Sequence, residues 1–439
     1  MKKVLVLGAG LVAGPLVRYL LEVDEFHVTV ASRTVSKAET LVGGASNGTA
    51  LTLNVKDEAE LERLIAEHDL SISLLPYVYH PVVAELCVKH RKQMVTTSYV
   101  KPEMQALDAA AQEAGVILLN EIGVDPGIDH MSATQVIDRI AANGGTLVSF
   151  TSNTGGLPAP DANDNPMGYK FSWAPRGVVM AGKNPAKYMK DGAIVDVPGP
   201  ELFAHHWPCE IVGFGTLEVY PNRDSMPYVE SYGIPTVRSM FRGTLRYPGW
   251  CKTLKAVVDL ALLDETQRDD LVGLTYGEWL AGKIGSDGAN LAQDLADRLG
   301  IAADAKPITD LAWLGLLGDE PIPAEDTTDL DVIASRMLVK MPYAPGERDM
   351  LVMQHEFVAE YADRTEKTFS TMVDYGIPNG DSSMSRLVGL PAAIAARMIL
   401  QGEIELTGVH VPMIPAIYEP VLAELATMGV AFTETTERL

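Results

Sequence analysis

The residues Gly8-Ala9-Gly10-Leu11-Val12-Ala13, with Gly14 next, fit the pattern G-x-G-x-x-G/A and constrain the chain more than any other feature. They follow the apolar run from Lys3 to Leu7, which reads as a strand, and open a segment with helical character through about Leu21. In that setting the first glycine permits a tight turn, and the second lets backbone approach a pyrophosphate. The small third residue lets helix and strand pack closely. The helix N-terminus then offers free N–H groups and a positive dipole end to phosphate. An ordinary strand–turn–helix could carry the same letters, but the flanking strand and helix favour a dinucleotide site. The second strand, His27 to Ala31, ends at Ser32-Arg33-Thr34. NAD enzymes place Asp or Glu there, on the ribose 2′-hydroxyl, and this chain has no carboxylate at that point. Arg33 can pair with a 2′-phosphate or stack on adenine. NADP(H) is therefore favoured, the bland alternative being a solvated surface arginine.

Further strand-like runs at Thr49 to Val55, Ser71 to Leu75, Val95 to Ser98 and Val116 to Leu119 alternate with helical segments such as Glu58 to His68. This spacing implies an α/β fold with a Rossmann-type, doubly wound parallel sheet. Near Asp125 the texture changes. Short β-like runs (Thr146 to Ser152, Gly215 to Tyr220) mix with Gly- and Pro-rich loops, and Thr154 to Pro160 reads as a long irregular loop. Leu254 to Met341 is helical in pattern, strand character returns at Asp349 to Tyr361 and Lys367 to Val373, and Pro391 to Leu400 and Ala416 to Met428 read as helices. The expected domains are residues 1–124, completed by 391–439, as the dinucleotide-binding domain; 125–253 with 342–390 as an α+β substrate-binding and dimerisation domain; and 254–341 as a small all-helical insert.

Charge narrows the function. With 35 basic and 58 acidic side chains the net charge is −23, which argues against nucleic acid as a partner and against docking on anionic membranes. No stretch approaches the roughly 20 apolar residues of a membrane span, and the N-terminal run ends at its Gly-rich turn with no cleavage pattern, so a soluble protein is expected. Cys87, Cys209 and Cys251 are scattered and odd in number, with neither a disulfide framework nor a metal spacing. No metal is expected, and the cysteines fit a reducing cytoplasm.

Several strings are long and unusual: Thr97-Ser98-Tyr99, Asn120 to His130, Gly155 to Pro160, Asn165 to Trp173, Tyr220 to Ser225, Arg242 to Tyr247, Asp310 to Leu316 and Val373 to Gly376. On these the chain resembles, along essentially its whole length, the saccharopine reductase family, the NADP-dependent, L-glutamate-forming saccharopine dehydrogenases. The resemblance implies that L-glutamate and 2-aminoadipate 6-semialdehyde condense to an imine, which NADPH reduces reversibly to saccharopine, in lysine metabolism. It implies small amino-acid substrates, a homodimer, and substrate contacts at Ser98, Tyr99, Asp125, Arg223, Thr244, Leu245 and Arg246. It also implies nucleotide contacts at Ala9, Leu11, Val12, Ser32, Arg33, Thr34, Asn54, Val55, Leu75, Val124, Asp125 and Ser172, beside the motif glycines Gly8 and Gly10. One departure stands out: the family often has a cysteine just before the Gly-Gly-Leu-Pro-Ala-Pro stretch, where this chain has Thr154. A hydroxyl cannot act as a thiol acid there.

The chemistry asks for these residue types. Saccharopine carries three carboxylates, and Arg223 and Arg246 can each pair bidentately with one; alone, either would read as a surface ion pair. Hydride transfer needs an electrophilic imine held with water excluded. Tyr99 can hydrogen-bond the substrate, and Asp125 can stabilise the iminium charge or relay a proton. The plain reading of Asp125, which precedes Pro126, is a turn-capping residue. His130 beside Asp129 suggests a dyad, but neighbours on a helix do not face each other, so a structural role is expected. His205-His206 reads as a loop feature. Two other functions remain open on sequence alone: carboxynorspermidine reductase, which reduces an imine of a diamine, and a non-catalytic NADP-binding protein.

Overall fold

The computed structural model describes residues 1–172 and 175–439; Trp173, the last residue of one string quoted above, lies outside them. The chain forms two compact units, residues 1–143 with 380–432 and residues 144–379 with 433–439.

The first unit is built on a parallel sheet. Its strands in chain order are β1 (Lys2–Leu7), β2 (Phe26–Ser32), β3 (Gly48–Thr52), β4 (Leu70–Ser73), β5 (Gln93–Thr96) and β6 (Ile117–Leu119). Among the described residues the sheet has seven strands, ordered Gly408–His410, β6, β5, β4, β1, β2, β3, all pairs parallel. Val4 to Leu7 are fully buried, as expected of a central strand covered on both faces. The order reverses between β1 and β4, where such folds bind their ligands. Helix α1 (Ala13–Leu21) buries Ala13, Leu16, Val17 and Leu20. It lies close to the helix Ser383–Gln401, where a Cβ on Gly389 would stand 2.9 Å from the Val12 carbonyl oxygen.

That second helix differs from expectation in two ways. It begins eight residues before Pro391, because Ser382 caps it by accepting the Ser385 amide at 3.0 Å. At 19 residues it is also long and apolar enough to cross a bilayer, although no such stretch was expected. Most of it is buried inside the unit.

The second unit carries a mixed sheet of nine strands among the described residues. At its centre is β7 (Thr146–Pro158), parallel to Ser239–Arg246 on one side and antiparallel to Asp349–Glu360 on the other. Thr154 to Pro158 is therefore strand and not the irregular loop its Gly and Pro content suggested. The glycine serves a close backbone approach: a Cβ on Gly155 would sit 2.6 Å from the Leu245 carbonyl oxygen. Helices occupy Trp250 to Lys340. They share one apolar core with the sheet, Leu157, Leu217 and Leu245 packing in the same cluster as Leu254, Leu280, Leu311 and Met337, so the helical segment does not separate as a unit. Two expected boundaries also move. Helix Ile128–Ala142 stays with the first unit, where Asp138 accepts from the Tyr418 hydroxyl at 2.6 Å. Strand Thr433–Arg438 leaves that unit to pair with Thr365–Tyr375.

Candidate active site

The motif turn builds a cavity of about 350 Å³ in the first unit. Gly8 has φ +115, and a Cβ there would meet the Leu74 carbonyl oxygen at 3.0 Å, whereas a Cβ on Gly10 would meet no protein atom within 4 Å. The first glycine is thus required by the protein itself. At the second, the space is open to the close approach of a ligand. Helix α1 starts at Ala13 with no side-chain cap on Val12; Ala13 donates to the Gly10 carbonyl oxygen at 3.2 Å and Pro15 has no N–H, so the Gly14 N–H of the first turn is left to an external acceptor.

Of the residues expected at the nucleotide, Gly8, Ala9, Gly10, Ser32, Arg33, Thr34, Asn54, Val55 and Leu75 line this cavity, and Leu11, Val12, Val124, Asp125 and Ser172 do not. Leu11 is largely exposed, Val12 precedes α1, and Ser172 belongs to the second unit. Sequence reasoning missed Lys37 and Lys56, which also line it. Arg33, Lys37 and Lys56 put three cations on a lining that holds no carboxylate. Lys37 lies in the first turn of the helix that follows Ser32-Arg33-Thr34, a signal legible once strand and helix are placed. The lining fits a nucleotide bearing an extra phosphate.

Tyr99 and Asp125 come together: the phenol donates to Asp125 Oδ1 at 3.1 Å, both side chains half-buried. Ser98, next along, is hydrogen-bonded to His80, whose imidazole bridges Ser98 Oγ and Ser73 Oγ at 2.8 Å each. Burial pushes the His80 pKa down to about 4, so the ring is neutral near pH 7. Val124 is buried, and Asp125 is joined to Pro126 through a cis peptide bond. His130 is buried and hydrogen-bonded to Glu121 at 2.9 Å. Contrary to the helix-neighbour argument, its Nδ1 also lies 3.6 Å from Asp129 Oδ2, because Asp129 sits in the first turn, where the chain bends from loop into helix.

In the second unit, Thr244, Leu245 and Arg246 end the strand Ser239–Arg246. Arg246 is 5% exposed. Its guanidinium lies 4.9 Å from the Tyr169 ring centre and 5.7 Å from that of Trp250. Among the described residues no carboxylate lies within ion-pair distance of it, and its Nε and the Trp250 indole N–H have no acceptor. The nearest acid across the ladder, Glu218, accepts instead from the Gly249 and Cys251 amides at 2.9 and 2.6 Å. A buried cation left short of anions is costly unless an anion arrives. Trp250 was not anticipated from sequence.

Arg223 stands apart. It is exposed, with φ +55, and the ladder that pairs Pro221 with Gly243 places it several residues from Arg246, on the order of 15 Å at strand rise. The two arginines form separate cation positions and not one clamp. Thr244 lies in register with Tyr220 and with Thr154, whose buried hydroxyl has no partner among the described residues. His206 Nδ1 is 2.8 Å from the Phe203 carbonyl oxygen.

Comparison with known proteins adds independent findings. Residues 4–119 match the model of the saccharopine dehydrogenase NADP binding domain, and residues 123–430 match that of the saccharopine dehydrogenase C-terminal domain. Saccharopine dehydrogenase [NADP(+), L-glutamate-forming] of Schizosaccharomyces pombe is 41% identical, over 99% of both chains. The Saccharomyces cerevisiae protein of the same name is 40% identical, over 97% of this chain and 96% of its own. A solved apo structure of the L-Glu-forming saccharopine dehydrogenase from Saccharomyces cerevisiae superposes with a TM-score of 0.93 at 38% identity, covering all of both chains.

Proposed function

Because the chain belongs to the NADP-dependent, L-glutamate-forming saccharopine dehydrogenase family, we propose how its residues carry out that family's reaction, the interconversion of saccharopine with L-glutamate and 2-aminoadipate 6-semialdehyde. The nucleotide, when bound, supplies or accepts the hydride. Arg33, Lys37 and Lys56 hold its 2′-phosphate. Gly8, Gly10 and the open first turn of α1 take the pyrophosphate.

Arg246 receives a substrate carboxylate, with the Trp250 indole N–H as a second donor. The single observation that carries this reading is the buried guanidinium with Nε unsatisfied and no carboxylate within ion-pair distance among the described residues. Arg223 takes a more distant carboxylate of the same extended, three-carboxylate ligand, and Thr244 and Leu245 shape the strand end between them. Ser98 is held by neutral His80 and hydrogen-bonds the substrate. In the oxidative direction the C–H bond beside saccharopine's secondary amine loses its hydride, and the amine nitrogen becomes part of an iminium. Water then adds, and the C–N bond breaks to give aldehyde and glutamate. Asp125, hydrogen-bonded to Tyr99, stabilises the iminium charge and accepts or returns the proton. Thr154 leaves no thiol to share that task.

We further propose a cytoplasmic setting, which the unpaired cysteines fit, and a homodimeric assembly, which light scattering tests. The functional test is saccharopine-dependent formation of NADPH followed by absorbance. Arg246→Met should raise KM for saccharopine while leaving NADP binding intact. An Arg246→Met enzyme with wild-type KM for saccharopine would refute the carboxylate assignment.

A further inference from the structure

Behind Tyr99 and Asp125 lies a buried cluster that no part of the chemistry above uses: Glu121, Asp129 and His130, respectively 7%, 0% and 0% exposed. Several of its contacts reach toward the two reactive side chains. Glu121 donates its own amide to the Ser98 carbonyl oxygen at 3.1 Å, and its Oε1 accepts the Val100 amide at 2.8 Å. It therefore grips the backbone on either side of Tyr99. Its Oε2 accepts from His130 Nε2 at 2.9 Å. His130 Nδ1 faces Asp129 Oδ2 at 3.6 Å. Asp129 in turn accepts the Gly127 amide at 2.6 Å and donates its own amide to Val124 at 3.0 Å, so it holds the turn that presents Asp125.

The backbone at Glu121 marks the arrangement as more than packing. Glu121 has φ +58, a left-handed conformation that non-glycine residues seldom adopt and that is disfavoured where nothing over-determines it. Here the conformation lets one residue donate from its amide and accept at its carboxylate on the same three-residue segment. Burial raises the value of each bond, since any of these groups left unpaired would be destabilising.

We infer that Glu121 is a positioning residue of the reaction, clamping the Ser98–Val100 segment, and that His130 couples this clamp to the Asp129-held turn carrying Asp125. The Tyr99–Asp125 pair is thereby fixed by one continuous buried network. This inference rests on the reading of Tyr99 and Asp125 as reacting residues.

The test compares Glu121→Gly, Glu121→Gln, Tyr99→Phe and the Glu121→Gly/Tyr99→Phe double variant in the full-length protein. Glycine relieves the left-handed backbone while deleting the clamp. Glutamine keeps an acceptor for the Val100 amide. Loss of alignment at a reacting pair slows turnover by roughly 10- to 100-fold. Glu121→Gly should show such a fall in kcat with KM for NADP unchanged, and Glu121→Gln should recover most of it. The double variant should be no slower than the slower single, since both changes act through one hydroxyl. Should Glu121→Gly fail to fold, His130→Gln, with the same kcat fall and unchanged KM for NADP expected, stands in for it. Wild-type kcat in Glu121→Gly, or losses that multiply in the double variant, would overturn the positioning role while Tyr99→Phe remained slow. Wild-type kcat in Tyr99→Phe would instead overturn the reading of Tyr99 itself.

Discussion

The His80 environment leads to a stability experiment with a defined sign. The ring is 4% exposed, and its hydrogen-bond partners are hydroxyls, Ser73 and Ser98 at 2.8 Å and Thr96 at 3.5 Å. Nothing among these stabilises an imidazolium, and burial lowers the pKa from 6.5 to about 4. In the unfolded chain the same ring titrates at its ordinary value. Between those two values the unfolded state binds the extra proton and the folded state does not, so stability rises with pH across that window. The His80 contribution is complete above pH 6.5, declines as pH falls toward 4, and is constant below that. A tenfold change in acid strength is worth about 1.4 kcal/mol, so the full difference is about 3 kcal/mol. Other groups also titrate in this range, so the measurement is a difference: urea unfolding of wild type and His80→Gln from pH 8 to 4. The wild-type curve should lose about 3 kcal/mol relative to the variant. A difference that stays flat between pH 6.5 and 4, or an imidazole NMR resonance for His80 titrating near 6.5, would refute the reasoning.

Four further outcomes follow from the geometry. Arg33→Ala should narrow the preference for NADPH over NADPH's non-phosphorylated counterpart by roughly 10- to 100-fold, the worth of a charge-assisted hydrogen bond, read as the ratio of kcat/KM values; Lys37 and Lys56 should keep it from vanishing. Gly8→Ala should destabilise the fold by about 1–3 kcal/mol, because φ +115 and the Leu74 carbonyl oxygen leave no room, as thermal unfolding would show. Gly10→Ala should unfold like wild type yet bind NADP more weakly, as titration of intrinsic fluorescence would report. Arg246→Met should raise KM for saccharopine by roughly 100-fold with thermal stability unchanged or increased, since replacing an unpaired buried cation by an apolar side chain removes a desolvation penalty.

How much of this was legible in the letters depends on the range of the interaction. The motif turn at Gly8 to Ala13 is a local instruction, in which strand, glycine spacing and helix lie within a dozen residues. The parallel sheet follows from apolar runs of the right length. Thr154 to Pro158 misled because glycine and proline usually interrupt strands, and only the neighbouring Leu245 backbone explains why glycine is wanted inside one. Lys56 sits beyond a third strand, and Trp250 four residues beyond Arg246. Their relevance depends on a register that no single stretch encodes. Glu121 is further still from legibility. Nothing in the string around it distinguishes a carboxylate that clamps backbone from one that faces solvent, and its left-handed φ is a consequence of contacts with Ser98, Val100 and His130.

The overall charge poses the sharper question, since a chain at −23 must bind a phosphorylated nucleotide and a substrate with three carboxylates. Abundance of cations does not answer it; placement of the acids does. At physiological salt, charges more than about 8 Å apart are largely screened, so the distant surplus of Asp and Glu matters little to a bound anion. What matters is which acids stand within that radius and what they are already bonded to. The nucleotide cavity has no carboxylate on its lining. At Arg246 the neighbouring Glu218 is bonded through both oxygens to the backbone of the turn that starts the next helix. An acid that neutralised Arg246 directly would give a more comfortable resting protein and a weaker site. Glu218 instead serves the fold, and the proposed function gives the guanidinium its anion, an incoming substrate carboxylate.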